Sequence, residues 1–373
     1  MSAVTEAERF ARLVLSCGVE PGDGTTSSLV AQLGAEGALQ HQLVPRAGSG
    51  LAARLGEVDP LRRLEQAQKA GIRFVVPGDP EWPAGLDALD HALAEEAFGG
   101  TPPGVWVRGP MPLSELDRSV AVVGSREASV YGVEMARGVV DSLVLAGLPV
   151  VSGGAIGIDF VAHDAALVAG GATVAVLACG VDRVYPEKHR RLLEHLAAEF
   201  AVVSEQPPGS TPTRQRFLAR NRLIAAVTRG TVLVEAALRS GALNTVGWAE
   251  RLCRPVLCVP GPVTSYTSEG VHQCLRRGGA TLVTSGAEAL EALGEAGQHL
   301  LEEPRGEERP RDRLTPKERH VLEWVPVGSP ASVDSIAGQA ALHIRDTDAT
   351  LRRLQEKEFV RLEERGWRLA GTV

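Results

Sequence analysis

The sequence predicts an α/β fold in which a doubly wound parallel sheet carries helices on both faces. Two observations predict it. Short β-branched runs alternate with longer helical stretches between residue 71 and about residue 297. These runs also show little apolar–polar alternation, which is the pattern of strands buried on both faces of a parallel sheet. Right-handed crossovers then place the helices on both faces, and ligands bind beyond the carboxyl ends of the strands.

The first 70 residues predict a small all-helical domain. TEAERFARLVLS, SSLVAQLG and DPLRRLEQAQKAG read as short helices, and Leu61 and Leu64 of the third fall near one face at helical spacing. Segments rich in Gly and Pro separate them. Nothing in this domain specifies a chemistry.

The α/β domain is predicted to span residues 71–297. Its strand candidates are residues 119–123, 149–152, 172–178, 200–204, 231–235, 255–260 and 280–283. Helix-like segments such as YGVEMARGVVDSLVLAG and DFVAHDAALVAG lie between them. The loops that follow the strands are therefore the places where a ligand is expected.

A linker and a third domain are predicted after the α/β domain. Residues 298–312 are charged and contain two prolines, which is typical of a solvated linker. In residues 313–373, Thr315 is expected to cap a helix that begins at Pro316. Two more helices and a hairpin follow, which predicts a winged helix-turn-helix. Because this segment carries ten basic and nine acidic residues, protein contact or a vestigial role is as good an interpretation as DNA reading.

The composition is that of a soluble globular protein of two or three domains. The 373 residues are 44% apolar and 23% charged, and no apolar run approaches the roughly 20 residues that span a bilayer. The N-terminus carries acids where a secretory signal is basic, so we expect a cytoplasmic protein without a membrane partner. The five cysteines lack metal-ligand spacing, and Cys179 and Cys258 are predicted to be buried, reduced thiols.

Basic residues are concentrated in one segment of an acidic chain. The formal net charge is −7, yet residues 183–222 hold eight Lys or Arg against four acids. This segment has a charge of +4 and the remaining chain a charge of −11. Such asymmetry predicts a polyanion site on an acidic carrier.

Two loops offer backbone N–H groups to an anion. VGSREAS follows the first strand, and Gly124 allows a tight turn that places Ser125 and Arg126 at a helix N-terminus. SGGAIGID follows the second strand, and Gly153 and Gly154 let the backbone approach a phosphate. This second loop does not fit the dinucleotide fingerprint G-x-G-x-x-G. A surface arginine at the first turn and a purely structural second turn are the alternatives.

The loops after the third and fourth strands carry the concentrated basic residues. CGVDRVYPEKHRRLL brings Lys188, Arg190 and Arg191 to a helix start, where positive charge opposes the helix dipole. EQPPGSTPTRQRFLARNR is expected to become helical near Leu218. Its arginines 214, 216, 220 and 222 flank Phe217, and a positive groove with an aromatic platform suits single-stranded nucleic acid. A buried Phe217 with solvated arginines is the alternative.

The fifth loop, EAALRSGALNT, adds Ser240, Gly241 and Asn244 at another helix start. Glu235, at the preceding strand end, is the one candidate catalytic carboxylate. The sequence offers no set of nucleophile, base and orienting group and no metal cluster, and His163 is expected to pack within a helix. These features favour a binding protein over an enzyme.

Together these loops resemble the DNA-processing protein A family, also called DprA or Smf. The resemblance covers about residues 71–290 in the family's order. It is carried by the stretches VVGSREAS, SGGAIGIDFVAHDAAL, ACGVDRVYPEKHRRLL, SEQPPGSTPTRQRFLARNRLIA, VEAALRSGALNT and VPGPVTSYTSEGVHQCLRRGGATLV, with the lead-in DPEWPAGL and PPGVWVRG.

The resemblance implies an extended Rossmann-like domain, flanked by a small N-terminal helical domain of the SAM or helix-hairpin-helix type and a C-terminal winged-helix domain. It implies a non-enzymatic, cofactor-free homodimer that binds and protects incoming single-stranded DNA. This protein would load the recombinase RecA onto the strand in natural transformation and recombination. The DNA-binding residues that it implies are Arg126, Gly153, Gly154, Lys188, Arg214, Phe217, Arg220, Asn221, Arg222, Ser240 and Gly241.

Two positions depart from the family's usual pattern, and two other functions remain open. Leu218 stands where the family usually has Pro, which affects how rigidly Phe217 is presented. SGGAIGID replaces a more common SGLA-type turn and adds backbone freedom. The main rival function is a nucleotide-processing enzyme that uses the phosphate loops. A transcription factor that reads duplex DNA is the third reading.

Overall fold

The computed structural model describes residues 4–43, 59–92, 99–301 and 308–371. Within these ranges two strands precede the predicted ones. The strands of the main sheet are β1 (Ile72–Val75), β2 (Val105–Arg108), β3 (Val120–Val123), β4 (Val150–Ser152), β5 (Thr173–Val176), β6 (Ala201–Ser204), β7 (Thr231–Leu233), β8 (Val256–Cys258) and β9 (Thr281–Leu282). All seven predicted strands are present.

Strands β1 to β9 form one sheet in the order β1-β2-β6-β5-β4-β3-β7-β8-β9. Strands β3 to β9 run parallel to one another, while β1 pairs antiparallel with β2, and β2 pairs antiparallel with β6. The chain moves outward from β3 through β4 and β5 to β6, then returns to place β7 on the other side of β3. This reversal is the topological switch point at which ligands bind in doubly wound sheets.

Helices cover both faces of the sheet. The helices of this part of the chain are α1 (Glu6–Gly18), α2 (Gly24–Leu43), α3 (Pro60–Lys69), α4 (Val130–Leu145), α5 (Ile158–Val168), α6 (Arg190–Glu199), α7 (Arg214–Val227), α8 (Ala242–Arg251), α9 (Glu269–Arg277) and α10 (Gly286–Leu293). Short 3₁₀ helices lie at Ala84–Ala92, Leu113–Arg118, Glu187–His189 and Tyr266–Ser268. The predicted α/β class is confirmed.

The core is divided between the two faces because successive strand residues point to opposite sides. On β3, Ala121 and Val123 belong to one apolar cluster, while Val120 and Val122 belong to the other. All four are buried, so the strand carries no polar face. This burial explains why the parallel strands read as continuous apolar runs.

The N-terminal helices pack against the edge of the same sheet. Leu13 of α1 shares a buried cluster with Trp106 of β2, and the Trp106 indole donates a hydrogen bond to Ser16 Oγ at 3.0 Å. Contacts divide the chain into two compact units, Met1–Leu301 and Glu302–Val373. A separate domain ending near residue 70 stays a prediction. The predicted linker includes residues 302–307, which lie outside the described residues.

The second unit contains the predicted three helices and hairpin. They are α11 (Pro316–Glu323), α12 (Val333–Ala340), α13 (Ile344–Glu356), β10 (Val360–Glu363) and β11 (Gly366–Leu369), preceded by a 3₁₀ turn at Pro310–Arg313. Thr315 caps α11 as predicted, since its hydroxyl accepts from the Glu318 N–H and the Glu318 carboxylate accepts from the Thr315 N–H. The winged-helix assignment stays a prediction.

Candidate nucleic-acid interface

The loops that follow the parallel strands meet in one groove of about 830 Å³ at the switch point of the sheet. Its walls come from residues 123–127 after β3, Ala155 and Asp159 after β4, Tyr185 after β5, Pro212, Thr213 and α7 after β6, Ala237, residues 239–242 and α8 after β7, and Tyr266 after β8. Residues far apart in sequence therefore border one groove.

Phe217 lies in the wall of this groove, half-buried, on the first turn of α7. Thr213 caps α7, and its hydroxyl accepts from the Arg216 N–H at 3.3 Å, so the helix begins at Arg214 and not near Leu218 as predicted. The Tyr185 ring centroid lies 5.7 Å from that of Phe217. Phe217 is therefore held by helical backbone and still borders the groove.

Two guanidinium groups lie over the Phe217 ring. The Cζ atoms of Arg126 and Arg220 lie 5.3 and 5.7 Å from the ring centroid, within cation–π range. Arg126 is exposed, as are Arg214 and Arg239 along the same groove. Among the described residues, the side chains of Arg214 and Arg239 make no hydrogen bond or ion pair. These three side chains are free to take phosphate oxygens.

Arg220 has a different role from the exposed arginines because it is buried. Its Nη1 donates to the Gly153 carbonyl oxygen at 2.7 Å and to the Val176 carbonyl oxygen, and its Nε donates to Asn221 Oδ1 at 3.2 Å. Burial lowers the pKa of Arg220 to about 10, against the opposing charge of Asp159. Burial also raises the pKa of Asp159. Arg220 therefore anchors the floor of the groove as a charged, internally bonded group.

The glycines of the second loop make this anchor possible. A Cβ atom at Gly153 would lie 2.4 Å from the Arg220 guanidinium, so a side chain there would displace Arg220. Gly154 has a φ of +65°, and its carbonyl oxygen lies 3.0 Å from His189 Nδ1. Both glycines are buried and support the groove from behind. A direct phosphate cradle at these two positions stays a prediction.

Asn221, Ser240 and Gly241 meet at the junction of α7 and α8, and all three border the groove. Asn221 Nδ2 donates to the Gly241 carbonyl oxygen at 3.2 Å and to Asn244 Oδ1 at 3.3 Å. The loop after β7 is therefore tied to α7, which fixes the width of this end of the groove.

Four predicted site residues do not line the groove: Gly153, Gly154, Arg222 and Lys188. Arg222 points into the interior, fully buried, and its Nη2 donates to Glu205 Oε1 at 2.8 Å. The expectation that Arg222 lines the groove is corrected by this buried ion pair, which makes the residue structural. Lys188 is exposed on the 3₁₀ turn Glu187–His189, but it does not border the groove. DNA contact by Lys188 requires a strand that extends beyond the groove.

The candidate catalytic carboxylate is also a structural group. Glu235 is buried, and it accepts hydrogen bonds from the Ser129 N–H, the Ser129 hydroxyl and the Thr267 hydroxyl at 2.6 to 3.0 Å. Glu235 thus holds the N-terminus of α4 in place, and its own side chain lies outside the groove wall. His163 is buried in α5, and burial lowers its pKa to about 3. Its Nδ1 lies 2.7 Å from the Thr173 hydroxyl, so the predicted packing role is confirmed.

Several groove residues were not predicted, and Tyr185, Arg239 and Tyr266 are the ones among them that offer an aromatic ring or an exposed cation. Each of these three lies in a loop after a predicted strand, and this position is the signal that could have identified them. Within the described ranges, no group of His, Cys, Asp or Glu side chains is placed to hold a metal ion. None of the described helices combines the length and apolar character needed to cross a membrane.

Comparison with known proteins identifies the family. The family model described as DNA recombination-mediator protein A matches residues 73–294. The chain is 40% identical over 362 residues to a Mycobacterium tuberculosis protein named as a DNA processing protein DprA, covering 95% of this chain and 92% of that one. It is 30% identical over 348 residues to protein Smf of Synechocystis, covering 84% and 83% of the two chains.

Solved structures agree with this assignment. DNA processing protein A from Streptococcus pneumoniae aligns with a TM-score of 0.64 and 31% identity, over 78% of this chain and 98% of that one. The Helicobacter pylori protein of the same name aligns with a TM-score of 0.51 and 23% identity, over 59% of this chain and 95% of that one, which supports the fold alone. From the family match, the relatives that align over most of their length and the groove at the switch point, we conclude that this chain belongs to the DNA recombination-mediator protein A family, the DprA and Smf proteins.

Proposed function

We propose that this protein binds single-stranded DNA in the groove and acts as a recombination mediator rather than as an enzyme. The observation that carries the proposal is the arrangement around Phe217. One half-buried ring borders a groove that also exposes Arg126, Arg214 and Arg239. An aromatic face for bases beside guanidiniums for phosphates is the arrangement by which proteins hold single strands without reading sequence.

The charge of the groove supports a polyanionic ligand. Its walls contain four arginines and two acids, and one of these acids, Asp159, is buried beside Arg220. The other, Glu127, accepts a hydrogen bond from the Tyr266 hydroxyl. Both acids are thus engaged within the protein, which leaves the exposed arginines to dominate the field in the groove. The H. pylori relative is described by its single-stranded DNA binding mode.

Further parts of the proposal rest on the family. We propose that the protein protects incoming single strands and loads RecA onto them in natural transformation and recombination. We further propose that it does so in the cytoplasm as a homodimer. A strand-exchange assay with and without the protein tests the loading step. Sedimentation of the purified chain over a concentration series tests the dimer.

The competing enzyme hypothesis finds little support in the side chains of the groove. A hydrolase that acts on nucleotides needs a general base within reach of the bound ligand. Glu235 is buried outside the groove wall, Asp159 is buried beside Arg220, and Glu127 accepts a hydrogen bond from the Tyr266 hydroxyl. The several loops with exposed arginines exceed what one mononucleotide phosphate requires.

Titration of labelled oligonucleotides at several salt concentrations tests the binding proposal. Single strands are expected to bind more tightly than duplex of the same sequence, and affinity is expected to fall steeply with salt as counterions are released. Phe217→Leu keeps the apolar volume and removes the aromatic face. It is expected to weaken single-strand binding by about 5- to 150-fold, as for the loss of one stacked base.

Phe217→Tyr, which keeps the ring, serves as the matched control and is expected to bind as the wild type does. Equal affinity for duplex, or an affinity that does not change with salt, would overturn the proposal. A fall in melting temperature of Phe217→Leu without loss of binding would identify Phe217 as a core residue only.

A further inference from the structure

A second cavity of about 390 Å³ adjoins the groove on the side of the loop after β5. Tyr185 and Pro212 line both spaces, so these two residues lie at their junction. Asp182 accepts a hydrogen bond from the Gly209 N–H at 2.9 Å, and Arg183 Nε donates to the Gly209 carbonyl oxygen at 2.9 Å. These hydrogen bonds join the loops after β5 and β6, so the cavity is preformed in the protein without a ligand.

Tyr185 is the aromatic side chain at the junction of the two spaces. It is 49% exposed, which is high for an aromatic residue in contact with another ring. Its ring plane makes an angle of 56° with that of Phe217. A planar base cannot lie parallel to both rings at this angle. Phe217 and Tyr185 therefore offer two separate stacking faces in adjacent positions.

The charges around the second cavity suit an uncharged ligand group. Two acids and two bases line it: Asp182, Glu187, Arg183 and Arg190. The Arg190 guanidinium donates to Glu187 at 2.6 Å and to Glu194 at 3.2 Å, and Asp182 and Arg183 are both bonded to Gly209. This internal pairing leaves no excess positive charge for a phosphate. The groove beside it has that excess, so phosphates are expected there and a neutral base here.

We infer that Tyr185 and this cavity form a second base-stacking subsite, which takes the nucleobase next to the one stacked on Phe217. The inference rests on the proposed function, since it needs a single strand in the groove. With bases on both rings, the DNA strand leaves the groove from Phe217 past Tyr185 toward the turn that carries Lys188.

The test measures binding of a short fluorescent oligothymidylate to full-length variants. Tyr185→Ala is expected to weaken binding by about 5- to 150-fold. The slope of log K against log salt is expected to stay unchanged, because no phosphate contact is lost. Tyr185→Phe keeps the ring and is expected to bind as the wild type does. Phe10→Ala removes an aromatic residue that is 44% exposed on α1, outside both cavities, and serves as the matched control.

Two readouts separate base stacking by Tyr185 from mere support of Phe217. In Tyr185→Trp, the introduced indole is expected to be quenched when the oligonucleotide binds. The double variant Tyr185→Ala/Phe217→Leu is expected to bind more weakly than Phe217→Leu alone, because it loses a second base contact. An unquenched indole, or a double variant no weaker than Phe217→Leu alone, would overturn the subsite.

Failure of the subsite is distinguishable from failure of the proposed function. If the wild type binds and Phe217→Leu binds weakly while Tyr185→Ala matches the wild type, the subsite is overturned and the groove stands. If the wild type itself binds no single strand, both are overturned.

Discussion

At the scale of single residues, the four arginines of RQRFLARNR occupy four different environments. Arg214 is exposed in the groove, whereas Arg216 donates to both carboxylate oxygens of Glu20 at 2.8 and 3.0 Å. Arg220 bonds to backbone carbonyls beneath Phe217, and Arg222 pairs with Glu205 in the interior. The four arginines therefore have four different roles. Arg214 is an unpaired exposed cation, and Arg216 forms a surface ion pair. Arg220 is a buried donor to backbone carbonyls, and Arg222 forms a buried ion pair.

Arg214→Ala is predicted to reduce the salt dependence of single-strand binding. Loss of one phosphate contact is expected to make the slope of log K against log salt shallower by about 0.7. Affinity is expected to fall equally for all base sequences, because phosphate contacts carry no sequence information. Salt titration of the variant with two oligonucleotides of different sequence measures both effects.

Arg216→Ala is the matched control for Arg214→Ala, since it lies on the same helical turn but is paired with Glu20. We expect this control to leave the salt slope unchanged. If Arg216→Ala reduces the slope as much as Arg214→Ala does, the assignment of Arg214 as the free phosphate ligand is wrong.

Glu205→Ala is predicted to destabilise the protein strongly, by about 3–5 kcal/mol in the free energy of unfolding. The reason is that Arg222 is fully buried and would keep an uncompensated charge. Among the described residues, the Nε and Nη1 atoms of Arg222 already lack hydrogen-bond partners. Urea denaturation of the variant and the wild type measures the difference.

Two further variants show whether the loss comes from the broken pair. Glu199→Ala removes an exposed acid at the end of α6 and is expected to change the free energy of unfolding by less than about 0.5 kcal/mol. The double variant Glu205→Leu/Arg222→Met is expected to recover much of the stability, since apolar replacements of buried ion pairs are often neutral. A double variant as unstable as Glu205→Ala would contradict this explanation.

At the scale of elements, the strands and most helices follow from local pattern, whereas the environment of α7 does not. The β-branched runs identify β3 to β8 because these strands are buried on both faces. The strands IRFV and VWVR were not predicted because each contains an arginine, which interrupts the apolar run. Their antiparallel pairing at the sheet edge depends on partners far away in sequence.

The positions of the α7 arginines depend on tertiary packing. From Ala219 to Val227 every residue of the helix is buried, so an arginine in this stretch must find partners inside the protein. The apolar residues LIAAV after Arg222 are the local sign of such burial. The partners themselves, Gly153 and Glu205, lie on other loops, and no local pattern identifies them. For this reason the sequence indicates the groove but misplaces Arg222.

The carboxylate of Glu318 is predicted to make the second unit sensitive to acid. It accepts from Lys357 Nζ at 2.9 Å and from the Thr315 N–H and hydroxyl, and these bonds lower its pKa to about 2. Because its pKa is lower in the folded state, this stabilisation is complete above the ordinary pKa of about 4.5 and is lost as pH falls toward 2.

Hydrogen exchange of peptides from residues 314–371, corrected for intrinsic rates, measures this loss in the full chain. Glu318→Gln is expected to lower protection above pH 4.5 and to match the wild type near pH 2. Glu323→Gln, an exposed acid at the end of α11, is the control and is expected to follow the wild type throughout. Equal acid sensitivity of wild type and Glu318→Gln would contradict the role of Glu318.

At the scale of the whole molecule, the groove belongs to one compact unit. All of its wall residues lie between Val123 and Tyr266, within the unit Met1–Leu301. The acidic net charge of the chain is therefore no obstacle to DNA binding, because the field that a strand meets is set by the exposed arginines nearby. Screening shortens the reach of the distant acids to about 10 Å at ordinary salt.

Deletion of residues 302–373 is predicted to leave single-strand affinity and its salt slope unchanged. The deleted segment contributes nothing to the described groove walls. It also carries ten basic and nine acidic residues from position 313 onward, so it adds little attraction for phosphates. On α13, Arg352 is bonded to Asp348 at 2.9 Å, which further reduces the charge available to a duplex.

Titration of the truncated and full chains with the same labelled single strand and duplex tests the effect of the deletion. Loss of duplex affinity on truncation would reveal the second unit as a DNA reader. Loss of single-strand affinity by a folded truncated protein would mean that the groove is only part of the binding surface.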